Sequence, residues 1–140
     1  MTCWLYQMTI EKWPYERYRA EVWEGAVTLN WKVREIIPRK GMRQYGDIII
    51  FYYIKSDKID PGIYGWGVVL WCNGDDIHFR PSSPSDYLKM NPLWDKEVEQ
   101  IIENIRGNWA EATMFEDKKD SIKTLRQKIT QHVYGKLLSS

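Results

Sequence analysis

The sequence contains few of the residues from which metal sites and most catalytic centres are built. Two histidines and two cysteines occur in 140 residues, without Cys-x-x-Cys or His-Glu-x-x-His spacing, so the common metal motifs are absent. One Gly-x-Gly occurs, at Gly65-Trp66-Gly67, but it lies inside a predicted strand and does not lead into a phosphate-binding helix. We therefore expect no catalytic residue, no metal and no cofactor.

Long apolar runs and secretory features are also missing. No apolar run approaches the roughly 20 residues of a membrane helix, and Met1 leads directly into an alternating strand pattern, which predicts a cytoplasmic chain without membrane contact. Cys3 and Cys72 both lie in predicted strands, where thiols act as small apolar side chains, so we expect no disulfide between them. Because linkers and repeats are absent, we expect residues 1–140 to form a single domain.

A strong net charge is a further absence, because the formal charge is +1 at pH 7. This balance excludes a polyanion binder that acts through bulk charge, so any affinity for nucleic acid must come from a local patch. One such patch lies between Trp31 and Arg43, where basic residues outnumber the single acid Glu35; they are Lys32, Arg34, Arg39, Lys40 and Arg43. Acids gather instead in the C-terminal third, from Asp95 to Asp120.

Aromatic residues are abundant, with eight tryptophans and nine tyrosines. Many fall in two apolar runs, Asp47 to Ile54 and Ile63 to Trp71, joined by a connection that ends in Pro61-Gly62. These runs are too continuously apolar for a half-solvated hairpin, so we expect both faces to be covered, as in the central hairpin of a small closed or nearly closed sheet. Gly65 and Gly67 interrupt the second strand, which predicts a bulge, a sharp bend or a close approach.

The remaining pattern predicts further strands and several amphipathic helices. Trp4 and Tyr6 alternate with Cys3 and Leu5, as expected for a strand with two different faces, and Gly107 is expected to end a helix. The predicted strands are Thr2 to Met8, Glu21 to Leu29, the two central runs, Ile77 to Arg80 and Ala112 to Glu116; the predicted helices are Ile10 to Ala20, Ser83 to Met90, Leu93 to Arg106 and a C-terminal helix capped by Asp117 or Asp120. Five to six strands with three to four helices make an α+β domain.

Aromatic residues lie close to basic and amide residues at several places. The groups are, in chain order, Asn30, Trp31 and Arg34; Tyr52, Tyr53 and Lys55; and Trp66. Rings stack on bases, amides read base edges, and Arg or Lys holds phosphates. A ring cage also favours a methylated base, since the methyl group gains from burial among aromatic faces. We expect Tyr52, Trp4 and Trp94 to fill the core, whereas Trp31, in a basic loop, is the leading candidate for binding.

Several segments together match the pattern of a known family. They are Trp4-Leu5-Tyr6, Trp31 with Val33-Arg34, Met42, Gly46-Asp47, Phe51-Tyr52, Pro61-Gly62-Ile63-Tyr64-Gly65, Val68-Val69 and the segment from Phe79-Arg80-Pro81 to Trp94. In these segments the chain resembles the EVE domain, a family of the PUA-like superfamily related to the YTH domain. The resemblance implies a twisted PUA-like β-barrel with helices outside it, and a pocket for a flipped, modified base. By position it implies Trp31 as the first cage residue and Phe79 as the second, and it implies restriction or toxin–antitoxin proteins as partners.

These expectations combine in a non-catalytic module that binds DNA or RNA and takes one modified base into an aromatic pocket. The predicted binding residues are Asn30, Trp31, Arg34, Tyr53, Lys55, Trp66 and Phe79. Two alternatives stay open. One is a PUA-like hydrolase acting on RNA or modified nucleosides, with Asp47, Lys55 and His78 as its candidate groups; the other is a protein–protein interaction module that uses acidic last helices.

Overall fold

Six strands and three helices make up the described part of the chain. The computed structural model describes residues 3–23, 27–29, 46–73, 76–82, 87–107, 113–116 and 121–139. In chain order the elements are β1 (Cys3–Met8), α1 (Tyr15–Trp23), β2 (Val27–Leu29), β3 (Ile48–Tyr53), β4 (Gly62–Asn73), β5 (Asp76–Pro81), α2 (Lys96–Arg106), β6 (Thr113–Glu116) and α3 (Ser121–Ser139). These elements confirm the predicted α+β class.

The strands form one mixed sheet in the order β2-β5-β4-β3-β1-β6. β1 and β3 run parallel, and the other neighbouring strands are antiparallel. Within the described residues β2 and β6 lie at opposite edges, so these strands form an open sheet and the predicted closed barrel is not found among them. The edge strands have only three and four residues, which is how sheets commonly end.

Side chains alternate between the two faces of the sheet along β1 and β3. The register places Trp4 opposite Ile49 and Leu5 opposite Ile50, and all four side chains are fully buried. Since successive residues of a strand point to opposite faces, Trp4 and Leu5 enter different cores. Both faces are therefore covered, which confirms the expectation drawn from the continuous apolar runs.

The first face of the sheet carries an aromatic core. Its buried members are Trp4, Tyr6, Met8, Trp13, Tyr18, Ile49, Phe51, Tyr53, Tyr64, Val69 and Phe79. Many rings meet edge to face, as do Trp13 and Tyr18 with centroids 4.9 Å apart, a geometry that aromatic quadrupoles favour. The hydroxyls of Tyr18 and Tyr53 each donate to a main-chain oxygen at 2.7 Å, that of Tyr64 and that of Trp13 respectively. These bonds offset the cost of burying a polar group, and burial raises the pKa of the Tyr18 phenol well above its ordinary value.

The second face carries an aliphatic core beneath α2 and α3. Its buried members are Leu5, Ile48, Ile50, Tyr52, Ile63, Leu88, Leu93, Val98, Ile102, Leu125, Ile129 and Val133. Val98 and Ile102 lie one turn apart on α2, and the three residues from Leu125 to Val133 lie at the same spacing on α3. Each helix therefore lays one apolar stripe on the sheet, as its sequence pattern predicts.

α2 begins later than predicted, at Lys96 rather than at Leu93. Leu93 exchanges two main-chain hydrogen bonds with Ile63 of β4, at 2.9 Å and 3.0 Å, so its backbone continues the sheet. Asp95 is the N-cap, and its carboxylate accepts a hydrogen bond from the Val98 N–H at 2.8 Å, which fixes the start of the helix. The helix ends at Gly107 as predicted, where φ is 62°, a conformation that glycine adopts without steric cost.

α1 also differs from its predicted range of Ile10 to Ala20. A turn around Trp13 comes first, and the regular helix spans Tyr15–Trp23. Pro14 immediately precedes it, because proline lacks the N–H that a helix interior requires and is tolerated only at its start. The helix continues beyond Ala20, so the predicted extended segment is wrong at its beginning, Glu21.

Some predicted features lie outside the described residues. The predicted helix from Ser83 to Met90 begins with residues 83–86, which lie outside the described ranges. The predicted caps of α3, Asp117 and Asp120, lie outside them as well. Of the predicted helix before α2, Tyr87 and Leu88 are helical, and Leu88 is fully buried in the aliphatic core.

The two cysteines lie on strands that are not neighbours. β3 separates β1, which contains Cys3, from β4, which contains Cys72. Two strand spacings amount to roughly 10 Å, whereas a disulfide needs Cα atoms within about 7 Å of each other. The fold therefore confirms that these two cysteines do not pair with each other.

β4 contains the irregularity that its glycines predict. Its register with β3 shifts between Phe51 and Tyr52, which face Gly65 and Ile63. Two residues of β3 are thus matched by three of β4, and Tyr64 is the extra residue of a β-bulge. The bulge lets Tyr64 join the aromatic core while its neighbour Ile63 enters the aliphatic one.

Gly67 marks a close approach between β4 and β5. A Cβ atom at this position would lie 2.8 Å from Phe79 Cδ2 and 2.9 Å from the main-chain oxygen of Arg80. Both distances are shorter than packed atoms normally reach, and one neighbour is backbone. The predicted close approach is therefore confirmed, and it occurs against the protein's own β5.

Gly67→Ala is expected to destabilise the fold. The new methyl group would displace a core ring and a strand backbone, so we expect the free energy of unfolding to fall by about 1–3 kcal/mol. Urea unfolding followed by circular dichroism measures the change. Gly135→Ala in α3 is the control, since nothing lies within 4 Å of a Cβ there and alanine favours a helix by about 0.5–1 kcal/mol. A Gly67→Ala variant as stable as the wild type would contradict the close approach.

Candidate nucleic-acid interface

The predicted binding residues divide into those outside the described part of the chain, those in the core and those near the surface. They are, in that order, Asn30, Trp31 and Arg34; Tyr53 and Phe79; and Lys55 and Trp66. The role of the first group stays a prediction. Lys55 follows the end of β3, whereas Trp66 faces Ile50 near the middle of that strand. At ~3.3 Å per residue these two surface residues lie roughly 15 Å apart along the sheet, so the structure does not bring them together.

Tyr53 and Phe79 are core residues. Both have 0% exposure; the Tyr53 hydroxyl donates to Trp13 O at 2.7 Å, and the Phe79 ring lies 5.0 Å from that of Phe51 between centroids. Their ring faces are covered by other buried side chains. The described geometry therefore offers no free face of either ring to a base, and their predicted binding role finds no support in it.

Trp66 borders an open groove between β4 and α3. The groove has a volume of about 480 Å³, and the described residues that line it are Trp66, Lys123, Arg126, Gln127, Thr130 and Gln131. We call it the Trp66 groove. A volume of this size suits a small planar ligand. The lining combines one indole with cationic, amide and hydroxyl groups, and none of these residues carries a carboxylate.

α3 supplies every described lining residue of the groove except the indole. The contributing positions, 123, 126, 127, 130 and 131, recur at spacings of three and four, so they form one flank of the helix beside its buried stripe. The hydroxyl of Thr130 donates to Arg126 O at 2.9 Å, which leaves its oxygen lone pairs toward other donors. The flank is therefore polar along two turns of the helix.

The charge of α3 corrects the expectation that the last helices are acidic. No Asp or Glu occurs between Ser121 and Ser140, whereas the first turn of α2 holds Glu97 and Glu99. The acidic description is right for α2 and wrong for α3. The groove residues of α3 were not predicted from the sequence, although the change from an acid-rich segment to an acid-free one after Asp120 is a signal that could have indicated them.

Arg126 lies over the indole of Trp66. The guanidinium Cζ is 5.3 Å from the ring centroid, within the distance of about 6 Å at which a cation is attracted to an aromatic face. Both side chains are half-buried, so the contact holds the guanidinium at the groove wall. Arginine there provides both a flat surface for stacking and N–H donors for a phosphate.

The opposite flank of α3 is fixed to the start of α2. Lys128 Nζ lies 2.8 Å from Glu97 Oε2 and 3.4 Å from Asp95 Oδ2. Burial tends to raise the pKa of Asp95, but the hydrogen bonds from the Val98 N–H and from Lys128 outweigh it, and the pKa is lowered. These contacts help to set the position of α3, and with it the position of Arg126 over the sheet.

The groups considered for a hydrolase are not gathered in one place. Asp47 is buried just before β3, where its carboxylate accepts a hydrogen bond from Trp4 Nε1 at 3.4 Å, and Lys55 lies beyond the other end of that strand. All six residues of β3 and Ile54 lie between them, a separation of roughly 25 Å at ~3.3 Å per residue. His78 lies in β5, opposite Trp71. Among the described residues, no cluster of three or more His, Cys, Asp or Glu could hold a metal ion.

The chain matches no protein-family model, no curated protein and no solved structure. None of the helices in the described ranges has the length and apolar character needed to cross a bilayer. What the Trp66 groove can bind therefore follows from the groove's own side chains.

Asp95→Asn is expected to keep α2 capped while flattening the acid side of the stability profile. The pKa of Asp95 is lowered from 3.8 by folding, so its carboxylate stabilises the fold above that pH, and this contribution is lost as the pH falls through the lowered value. Asparagine caps a helix equally well but does not titrate. Urea unfolding at a series of pH values from neutral to acid measures the effect.

Asp95→Ala serves as the control, because it removes the cap as well as the charge. We expect it to lose about 1 kcal/mol even at neutral pH. Stability profiles of the wild type and Asp95→Asn that run parallel throughout the acid range would contradict the assigned pKa shift.

Proposed function

We propose that this chain is a non-catalytic module that binds single-stranded nucleic acid and stacks a base in the Trp66 groove. One observation carries the proposal: the half-buried indole of Trp66 lies beneath the Arg126 guanidinium, in a groove whose described lining residues include cations and amides without a carboxylate. Planar stacking surfaces combined with positive charge are the features by which proteins hold single strands.

Stacking supplies the sequence-tolerant part of the affinity. A base exposes two flat faces that pack on aromatic rings and on guanidinium planes, and each base–aromatic stack contributes on the order of 1–3 kcal/mol. Trp66 already holds Arg126 in place, so less side-chain entropy is lost when a base arrives. Base, guanidinium and indole would then form one layered stack.

The polar residues of the groove supply phosphate and edge contacts. Lys123 lies about one turn before Arg126 on the same flank of α3, and both can bind phosphate oxygens. The amides of Gln127 and Gln131 carry donors and acceptors suited to base edges. Because phosphate binding releases counterions, the affinity should fall as salt is added.

The ligand is a single strand rather than an intact duplex. A paired base must leave its stack to enter a groove, which costs a few kcal/mol, whereas an unpaired base does not bear this cost. Single strands, mismatched duplexes and damaged duplexes are therefore the preferred ligands, in DNA or in RNA.

The proposal includes an EVE-like pocket for a modified base. It is supported by the family resemblance, in which Gly46-Asp47 leads directly into β3 and Pro61-Gly62 leads into β4. In this pocket Trp31 would cage the base, Asn30 would read its edge and Arg34 would bind phosphate. The resemblance also implies that the fold is a PUA-like barrel and that restriction or toxin–antitoxin proteins are partners.

Trp66→Ala is expected to weaken the binding of a labelled single-stranded oligonucleotide. Loss of the indole removes the surface that supports the guanidinium and the base above it, and a cost equal to one base–aromatic stack, about 1–3 kcal/mol, corresponds to an increase in Kd of roughly 5-fold to 150-fold. Fluorescence anisotropy at fixed salt measures the Kd, and Trp66→Phe, which keeps an aromatic face, should lie closer to the wild type. Arg126→Ala should weaken binding as well and lower the salt slope by about 1.

Two further variants separate stacking from charge. Arg126→Lys keeps the positive charge but loses the planar guanidinium on which a base can stack, so we expect an unchanged salt slope with reduced affinity. Arg19→Ala is the matched control, because Arg19 is an exposed residue of α1, and α1 packs on the aromatic face of the sheet through Tyr18. Wild-type affinity in both Trp66→Ala and Arg126→Ala would contradict the groove assignment.

Trp31→Ala is expected to abolish the preference for a modified base without unfolding the protein. The cage argument predicts that the indole gains most from an added methyl group on the base. Competition between modified and unmodified oligonucleotides of one sequence measures the preference, and circular dichroism checks the fold. An unchanged ratio of the two affinities would refute the Trp31 cage while leaving the Trp66 groove untouched.

A further inference from the structure

Tyr134 is an exposed aromatic residue on α3. Among the described residues, Tyr134 and Met90 are large apolar side chains that are exposed, and 50% of the Tyr134 surface is accessible. A phenol ring has a large apolar body, and aromatic rings left in water are common where a ligand or partner covers them. None of the described core contacts of α3 requires a tyrosine here, since they are made by Leu125, Ile129 and Val133.

Tyr134 continues the flank that lines the Trp66 groove. It follows Thr130 by four residues and Gln131 by three, the spacings at which helix side chains are neighbours. From Arg126 to Tyr134 the helix rises by about 12 Å, at ~1.5 Å per residue. The amides of Gln127 and Gln131 lie between these two positions. From Arg126 onward the flank therefore presents a cation over an indole, then amides and a hydroxyl, and finally a phenol.

We propose that α3 is the track along which a single nucleic-acid strand lies, with one base stacked at Trp66 and Arg126 and a later base stacked on Tyr134. The inference rests on the proposed function and adds the length and path of the ligand. A stacked strand advances about 3.4 Å per nucleotide, so ~12 Å corresponds to roughly three or four steps. A strand of about four or five nucleotides reaches both rings, whereas a dinucleotide reaches one.

Charge favours this path over others on the same side of the sheet. The flank of α3 has no acid in its sequence, while the exposed surface of α2 carries Glu99 and Glu103 besides the paired Glu97, and these carboxylates would repel phosphates. An acidic peptide would also be attracted by Lys123 and Arg126. The stretch between the two aromatic positions, however, presents amides and a hydroxyl instead of cations, and these suit base edges better than carboxylates.

Tyr134→Ala tests the track through the dependence of affinity on ligand length. The probes are oligothymidylate and oligouridylate of two and of six nucleotides, titrated at one salt concentration with circular dichroism as a check of folding. We expect Tyr134→Ala to lower the affinity for the hexamers by about tenfold and to leave the affinity for the dinucleotides unchanged, whereas Trp66→Ala should lower the affinity for both lengths. Tyr134→Phe, which keeps the ring, should behave as the wild type.

The outcomes separate the track from the proposed function. Hexamer binding that is weakened by Trp66→Ala but not by Tyr134→Ala overturns the track and leaves the proposed function standing. If neither length binds to the wild type, both are overturned. The expected loss in either the DNA or the RNA series supports the track, and the tighter series identifies the polymer. A hexameric acidic peptide that binds as tightly as the hexanucleotides, with the same losses in the variants, overturns the nucleic-acid assignment.

Discussion

The parallel pairing of β1 with β3 is the constraint on which both cores depend. Its register places Trp4 beside Ile49 on one face and Leu5 beside Ile50 on the other. Because the side-chain period of a strand is two, a slip of one residue would exchange the aromatic and aliphatic sets. Such a slip is opposed by the volumes of the core side chains and also by hydrogen bonds, because the buried Tyr53 hydroxyl of β3 must reach the main-chain oxygen of Trp13 outside the sheet. The helices then dock on faces that the pair has already defined.

This arrangement explains why abundant aromatic residues are a poor guide to a binding site in this chain. Most rings of the first face are edge to face with one another, and their hydroxyls are bonded to carbonyl oxygens of the protein itself. A sealed cluster of this kind has neither a free ring face nor a spare donor. The sequence gives both Tyr53 and Trp66 as aromatic residues near basic ones, and only their burial distinguishes them. Tyr53 is enclosed by α1 and the turn before it, whereas Trp66 borders the groove beside α3.

Elements with a local signal were predictable from the sequence, and those set by tertiary contacts were not. The alternation of Trp4 and Leu5, the bulge in β4 and the end of α2 at Gly107 each follow from residues within a few positions. Leu93 has the right spacing to belong to α2, but hydrogen bonds to a distant strand hold it in the sheet. The flank of α3 was missed for a related reason: polar residues on a helix are usually solvated, and what distinguishes these is the position of Trp66 across the groove, which the tertiary fold sets.

Arg126 lies where the buried stripe of α3 meets the Trp66 groove. It precedes Ile129 by three positions and Val133 by seven, so it lies at the border of the stripe that α3 buries. An aliphatic residue there would widen the stripe and pack on the indole of Trp66. A guanidinium cannot be enclosed in this way without a large desolvation cost, and it remains half-buried at the groove wall instead. Position 126 therefore ends the apolar packing of α3 and places a cation at the groove wall, which an apolar residue would not provide.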